Sequence, residues 1–136
     1  MIILSGDRAV VGSDTIVVVD YEVLGKPKDR EDAIKMLRKL QGKRHSVFTS
    51  LSVLIEDRGR LKEYKEVFES FVYVKPMEDS EIINYVDTYD CLDKAGSYAI
   101  QSKFAVYVEK IEGDYNAIIG LPISRLYDIF KENEIW

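Results

Sequence analysis

Apolar residues in the first half of the chain follow the short period of β-strands. Residues 10–20 are dense in β-branched side chains, which is typical of a strand buried on both faces. Polar residues 12–14 interrupt this run, and we interpret them as a bulge or a strand end. Residues 45–55 alternate between apolar and polar side chains and predict another strand. The turn sequence at residues 57–60 then predicts a hairpin, whose second strand covers residues 61–75.

Helical periodicity replaces this pattern in three places. Apolar residues recur every three or four positions from Asp29, which can cap a helix, to about Gln41. A second helix follows the hairpin, with Asp79 or Ser80 as its predicted cap. A third begins around Pro122, since proline is well suited to the first turn of a helix.

The order of these elements predicts the fold class. Two further strands are expected after the second helix, at residues 98–101 and 104–111. Alternating strands and helices indicate an α/β fold with a mixed sheet flanked by helices. A chain of 136 residues can bury a substantial core in one unit, so we predict a single domain over residues 1–136.

Composition and charge narrow the range of functions. Apolar residues make up 46% of the chain and charged residues 32%, which is typical of a globular protein. The net charge of −5 argues against binding to a nucleic-acid polymer, although a small phosphorylated ligand remains possible. The apolar runs are shorter than the roughly 20 residues of a membrane-spanning helix. The single cysteine, Cys91, cannot form an internal disulfide, and we predict a cytoplasmic protein without a membrane segment.

Two polar residues in apolar surroundings suggest a site for a metal-bound polyphosphate. Asp14 lies between strand-forming segments, where a rigid backbone would hold its carboxylate as a base or as a ligand for magnesium. Lys26 lies on a turn between Gly25 and Pro27, where its ammonium can meet a phosphate. Each residue also has a simpler interpretation. Asp14 can accept hydrogen bonds within a turn, and Lys26 can be a solvated turn lysine.

A second polar cluster follows the second predicted helix. Lys94 can contact a phosphate, and the amide of Gln101 can hydrogen-bond the edge of a base. Alternatively, the segment is a hairpin with a surface ion pair between Asp93 and Lys94 and an exposed glutamine. The single histidine, His45, lacks a Cys or His at ligand spacing, so we predict a half-buried residue at a strand end and no zinc site.

Taken in order, these motifs resemble the Maf family of nucleoside triphosphate pyrophosphatases. The stretch from residue 93 to residue 101 is most similar to the branch that acts on dTTP and UTP. The similarity extends along nearly the whole chain and rests on six segments: Gly12-Ser13-Asp14-Thr15, Gly25-Lys26-Pro27, Gly42 with residues 45–49, residues 93–101, Ile111-Glu112-Gly113-Asp114-Tyr115 and Gly120-Leu121-Pro122.

The resemblance implies an activity and a set of residue roles. Members of the family cleave pyrimidine or modified nucleoside triphosphates between the α and β phosphates. The products are a monophosphate and pyrophosphate, and the reaction uses a divalent metal, for which we expect magnesium. On the matching motifs, Asp14 is the proton acceptor or the carboxylate on the metal side, and Lys26 holds phosphate. Thr15 and Gln101 help to select the base, and Lys94 belongs to the site.

The start of the chain departs from the family pattern. Family members usually have a strand, a phosphate-binding loop rich in Ser and Arg, and a helix ahead of the segment equivalent to residues 10–20. Here residues 1–5 lead almost directly into that segment. We therefore expect a Maf/ITPase-like fold that lacks the usual N-terminal strand-loop-helix segment. The alternative function is a noncatalytic nucleotide-binding or dimerising remnant, with a homodimer as the expected assembly.

Overall fold

The computed structural model describes residues 1–6, 8–89 and 91–135, which contain six strands and four α-helices. The predicted domain, residues 1–136, includes Asp7, Asp90 and Trp136, which lie outside the described residues. The strands are β1 (Ile2–Ser5), β2 (Ala9–Val19), β3 (Glu22–Leu24), β4 (Arg44–Asp57), β5 (Arg60–Val74) and β6 (Val108–Glu112). The helices are α1 (Arg30–Leu40), α2 (Asp79–Thr88), α3 (Tyr115–Ile119) and α4 (Ile123–Glu132), with two 3₁₀ segments at Ala95–Ser97 and Ser102–Tyr107.

The strands form one sheet in the order β1-β2-β4-β5-β6, and β3 also pairs with β2. One edge of β2 pairs with β4 over residues 9–18. On the other edge, β1 pairs with residues 10–13 and β3 with residues 17–19. Residues 14–16 therefore have no strand partner on that edge among the described residues. This gap positions the site described below.

The α/β class is confirmed. The sequence predicts a mixed sheet, whereas every described pair of strands is antiparallel. The turns supply the physical reason. β2 reverses into β3 at Asp20 and Tyr21, which both adopt positive φ, and β4 reverses into β5 at the predicted turn of Arg58 and Gly59. A two-residue connection can join only antiparallel neighbours.

Alternate residues of β2 and β4 face the helices and form two separate apolar cores. The first core packs Val17 and Val47 against α1 and α2. The second core packs Val11 and Leu51 against α4. Between the two cores the same faces carry three polar side chains, Ser13, Thr15 and Thr49. We call these three residues the polar gap.

The helix boundaries mostly follow local signals. Asp29 is the N-cap of α1, as predicted, and its side chain accepts a hydrogen bond from a backbone N–H of the first turn at 2.8 Å. The N-cap of α2 is Glu78, and not Asp79 or Ser80, because Glu78 and Glu81 exchange hydrogen bonds in a capping box. Among the described helices, none has the length and apolar character needed to cross a membrane.

The predicted strands after α2 are partly wrong. The strand expected at residues 98–101 is absent from the described structure, and the strand expected at residues 104–111 is reduced to Val108–Glu112, because a 3₁₀ segment precedes it. Phe104 is fully buried among aromatic rings, whereas Val106 is 66% exposed. Burial of one aromatic side chain in the first core, and not alternation across a sheet, decides the conformation here.

Candidate functional site

A cleft of about 540 Å³ opens beside the uncovered edge of β2. Small-molecule sites commonly have volumes of about 300–1,000 Å³. Strand β2, the turn after β3 and the segment of residues 93–101 line the cleft, and the end of α3 closes it. The structure brings together in this cleft all five residues that the sequence predicts for the site: Asp14, Thr15, Lys26, Lys94 and Gln101.

Asp14 lies at the mouth of the cleft. β2 keeps its register with β4 through residues 12–14, so a continuous strand holds the carboxylate, and neither a bulge nor a strand end interrupts this described stretch. The side chain is 63% exposed. Oδ1 accepts a hydrogen bond from the Thr15 backbone N–H at 3.0 Å and lies 3.6 Å from the Met1 amino group. The other oxygen, Oδ2, has no partner among the described residues and can receive a water or a cation.

Two residues of the polar gap, Ser13 and Thr15, form the wall of the cleft next to Asp14, on the side of the helices, and Thr49 lies behind them. Ser13 Oγ lies 2.8 Å from the carbonyl oxygen of Ser50 and 2.7 Å from that of Gly120. Thr15 is half-buried, and its Oγ1 lies 3.0 Å from Oγ1 of Thr49 on β4. These bonds hold the hydroxyl groups of the wall in fixed positions relative to both strands.

The two lysines differ in their surroundings. Lys26 is exposed on the turn after β3, and its ammonium has no anionic partner within the part of the chain that the structure describes. Lys94 pairs with Asp93 at 3.6 Å, and the Lys94 side chain is 42% exposed while that of Asp93 is 64% exposed. Exposed pairs of this kind contribute about 0–1 kcal/mol, so a phosphate can replace Asp93 at little cost. The alternative of a surface ion pair is therefore compatible with a role of Lys94 in binding.

Contacts inside the segment of residues 93–101 anchor it to the rest of the fold. The Gly96 N–H donates to the Gly25 carbonyl at 3.1 Å, which ties the segment to the turn that carries Lys26. Ser97 Oγ donates to the sulfur of Met36 on α1 at 3.1 Å. The ends of the segment, which carry the remaining predicted site residues, therefore extend from a fixed centre.

A buried histidine adds a further anchor that sequence reasoning does not find. His45 is only 2% exposed, so the prediction of a half-buried side chain is wrong. Its Nε2 lies 2.6 Å from the hydroxyl oxygen of Tyr98, which lines the cleft. Burial lowers the pKa of His45 to about 4. No local signal links these residues, because they are 53 positions apart in the chain.

The low pKa of His45 predicts a loss of stability in acid. The unfolded chain takes up a proton on histidine near its ordinary pKa of about 6.5, whereas the folded protein takes it up only near pH 4. Between these values the unfolded state binds more protons, so the free energy of unfolding falls as the pH falls. At about 1.4 kcal/mol per pKa unit, we expect His45 to account for a loss of roughly 3 kcal/mol between pH 7 and pH 4. Urea unfolding at a series of pH values measures this loss in the free energy of unfolding.

His45→Gln is the matched variant for this prediction. Its amide can still bond Tyr98 but does not titrate in this range. Acidic residues contribute equally to both proteins, so the difference between the two pH profiles isolates His45. Parallel profiles for wild type and variant would show that the histidine is not the source of the acid sensitivity.

The donor groups of the cleft fit one kind of metal site. Among the described residues, no group of three or more His, Cys, Asp or Glu side chains lies close enough to hold an ion alone. Asp14 and Asp93 both line the cleft. Magnesium typically binds one or two carboxylates together with the phosphates of a substrate and waters. The residues present therefore fit an ion that arrives with a phosphorylated ligand.

A cleft with a carboxylate at its mouth, two lysines and an amide on its rim is suited to a small phosphorylated ligand. It lies at a sheet edge in an α/β fold. The family model described as Maf-like protein matches residues 3–133. The chain belongs to the Maf family, and the resemblance seen in its motifs is confirmed.

Several relatives of the chain carry the name dTTP/UTP pyrophosphatase. The protein from Thermoanaerobacter sp. (strain X514) is 50% identical over 131 residues, which are 94% of this chain and 66% of the relative. The protein from Caldanaerobacter subterraneus subsp. tengcongensis is 49% identical over 125 residues, with coverages of 92% and 59%. That from Bacillus velezensis is 42% identical over 131 residues, with coverages of 95% and 66%. The chain thus spans about three fifths to two thirds of the length of these relatives.

Proposed function

We propose that this chain is a nucleoside triphosphate pyrophosphatase that hydrolyses dTTP, UTP or modified nucleotides to the monophosphate and pyrophosphate. One observation carries the proposal. The five residues to which the family resemblance gives roles are distant in sequence, between positions 14 and 101, yet all of them line one cleft. The names of relatives at 42–50% identity support the same substrate class.

In the proposed reaction Asp14 acts as the general base. Hydrolysis between the α and β phosphates consumes one water, whose oxygen bonds to the α-phosphorus. Asp14 accepts a proton from this water, while the bond from the α-phosphorus to the bridging oxygen breaks and pyrophosphate leaves with that oxygen. Because the Asp14 side chain is largely exposed, its proton can pass to solvent after each turnover.

The other predicted residues bind the substrate in this proposal. Lys26 is available to a phosphate without the loss of an ion pair among the described residues. Lys94 gives up only an exposed contact with Asp93. Thr15, half-buried in the wall, and Gln101, exposed on the rim, would contact the base. Phosphate charge and base identity would thus be recognised by separate parts of the cleft.

Magnesium is the proposed metal, and Asp14 would help to hold it. When bound, the ion neutralises phosphate charge and lowers the pKa of a coordinated water. The available donors suit an oxygen-seeking ion, since Asp14 Oδ2 has no partner among the described residues and the phosphates supply further oxygens.

A nucleotide panel tests the proposed reaction. The purified protein, with magnesium, is assayed for pyrophosphate release from dTTP, UTP, CTP, ATP and GTP. We expect release from dTTP or UTP, together with the matching monophosphate. Release of orthophosphate and a diphosphate would point to cleavage at a different bond and would contradict the proposal.

Nucleotide binding without turnover is the second candidate, and the exposure of Asp14 favours it. A carboxylate that is 63% exposed acts in a medium of high dielectric constant, where electrostatic stabilisation of a transition state is weak. Titration calorimetry decides between the candidates. Binding of dTTP or UTP without pyrophosphate release supports the second, and robust turnover excludes it.

Assembly and location stay predictions. A homodimer is expected, and mass measurements in solution that give only monomer across a concentration series would count against it. A cytoplasmic location is expected for a chain that acts on nucleoside triphosphates, and fractionation of cells that express it is the direct test.

A further inference from the structure

Two threonines form a pair at the back of the cleft. Thr15 and Thr49 lie directly opposite each other on β2 and β4, in the polar gap between the two cores. Thr15 is half-buried and lines the cleft. Thr49 is 1% exposed and is not one of the described residues that line it. Thr49 therefore influences a ligand indirectly, and Thr15 is the cleft-lining residue whose side chain it contacts by a hydrogen bond.

A backbone carbonyl fixes the direction of the hydroxyl protons. Thr49 Oγ1 lies 2.6 Å from the carbonyl oxygen of Ala117, and a carbonyl can only accept, so Thr49 donates its one proton there. Ala117 lies in α3, a helix of five residues, and carbonyls in the last turn of a helix lack a partner within it. Thr15 Oγ1 lies 3.0 Å from Thr49 Oγ1, so a proton between them must come from Thr15.

This order of donation decides what the cleft presents to a ligand. Thr15 donates its hydroxyl proton to Thr49. The Thr15 oxygen therefore presents only lone pairs to the cleft and can only accept a hydrogen bond from a ligand. The Ser13 hydroxyl is also committed, because its oxygen lies within 2.8 Å of two carbonyl oxygens. At this part of the wall neither Ser13 nor Thr15 has a hydroxyl proton left to donate to a ligand, and Thr15 can only accept a hydrogen bond from it.

An acceptor in this position discriminates between pyrimidine bases. Uracil and thymine carry an N–H donor at ring position 3, whereas cytosine has an unprotonated nitrogen acceptor there. If the Thr15 oxygen faces N3 of cytosine, both atoms are acceptors and neither has a partner. This reduces the favourable free energy of binding by more than the loss of one hydrogen bond would. We propose that Thr49 is a positioning residue that keeps Thr15 an acceptor and thereby favours uracil and thymine over cytosine. This inference rests on the proposed function of the cleft.

Replacement of Thr49 by valine tests the role of its hydroxyl. Thr49→Val keeps the side-chain shape and removes the group that accepts the Thr15 proton. Thr15 can then turn its proton into the cleft and donate to cytosine. We expect the ratio of kcat/KM for UTP over CTP to fall about tenfold, since a mismatched buried hydrogen bond changes affinity by about that factor. The ratio of calorimetric affinities for the two nucleotides should fall equally, whether or not the protein turns them over.

Thr49→Ser is the matched control, because it keeps the hydroxyl and removes only a methyl group. It should retain the wild-type ratio, even if both variants lower the thermal unfolding midpoint similarly. If Thr49→Val does not fold, Thr49→Cys provides the test, since a thiol is a weaker donor and acceptor and should give an intermediate ratio. A purely structural role of Thr49 would change stability and leave the ratio constant.

The outcomes separate this inference from the proposed function. A wild-type protein that binds neither UTP nor CTP overturns the proposed function and the selection by Thr49 with it. A wild-type protein that prefers UTP, together with a Thr49→Val protein of unchanged preference, overturns only the role of Thr49. A UTP-over-CTP ratio that falls in Thr49→Val and stays at the wild-type value in Thr49→Ser supports the proposed role of Thr49.

Discussion

Replacement of Asp14 by asparagine is expected to lower pyrophosphate release from dTTP or UTP by roughly 10²- to 10⁴-fold, the usual contribution of a general base. The amide has nearly the same size and can still accept the Thr15 backbone N–H, so the strand should be undisturbed. It cannot take up a proton from water at neutral pH, and it is a poorer ligand for magnesium. Steady-state release of pyrophosphate with saturating metal measures the effect.

Asp20→Asn is the matched control for this substitution. Asp20 is an exposed carboxylate directly after β2, paired with Lys43 at 2.6 Å, and it lies outside the residues that line the cleft. Asparagine also tolerates its positive φ of 49°. The control should retain the wild-type rate. Equal activity of wild type and Asp14→Asn would remove Asp14 from the proposed reaction.

Replacement of Gly96 by alanine is expected to destabilise the fold by roughly 2–4 kcal/mol, from backbone strain and overpacking together. Gly96 has a φ of +71°, in the left-handed region, and a Cβ there would lie 3.2 Å from both methyl groups of Val17. Val17 is buried in the first core, and the Gly96 N–H is bonded to Gly25, so neither side can move away freely. Urea unfolding measures the loss, and weaker nucleotide binding should accompany it.

Gly59→Ala separates the two causes. Gly59 has a φ of +78°, and its Cβ would meet nothing within 4 Å, so this variant carries the backbone strain alone. A second test places Val17→Ala in the Gly96→Ala protein. The smaller side chain should relieve the contact, so the double variant should lose less than the sum of the single losses. Additive losses, or equal losses for the two glycine variants, would contradict the proposed contact.

The main strands can be predicted from the sequence because their signals are local. The alternation on β4 and β5 and the turn of Arg58 and Gly59 require no knowledge of the rest of the chain. The same is true of α1, whose cap at Asp29 is visible in the sequence. The short strands β1 and β3 give weaker signals, since strands of four and three residues depend on pairing with β2.

The conformation of the segment between α2 and β6 depends on contacts with distant residues. For that reason its local sequence pattern predicts strands that the structure does not contain there. The ring of Phe104 packs against Tyr85 of α2 and against Tyr98, at centroid distances of 5.2 and 4.5 Å. These contacts pull the chain into a 3₁₀ segment where the apolar residues imitate the alternation of a strand. Tertiary packing thus overrides local propensity.

The sequence predicts which residues belong to the candidate site, but it does not predict how the fold arranges them. The order of the motifs identifies Asp14, Lys26 and Gln101, and these residues line the same cleft. The contributions of Thr49 and of His45 with Tyr98 become visible only in the structure, because they depend on the pairing of β2 with β4 and on burial. Neither arrangement leaves a pattern in the neighbouring sequence.

Nuclear magnetic resonance mapping of nucleotide binding tests the proposed site most directly. The labelled protein is titrated, in the presence of magnesium, with a dTTP analogue whose α–β bridge cannot be hydrolysed, so the result does not depend on turnover. The proposed site predicts that amide shifts concentrate at residues 14–16, at residues 25–26 and in the segment of residues 93–101. Shifts that concentrate elsewhere, for example on β5, or no shifts at millimolar analogue, would contradict it.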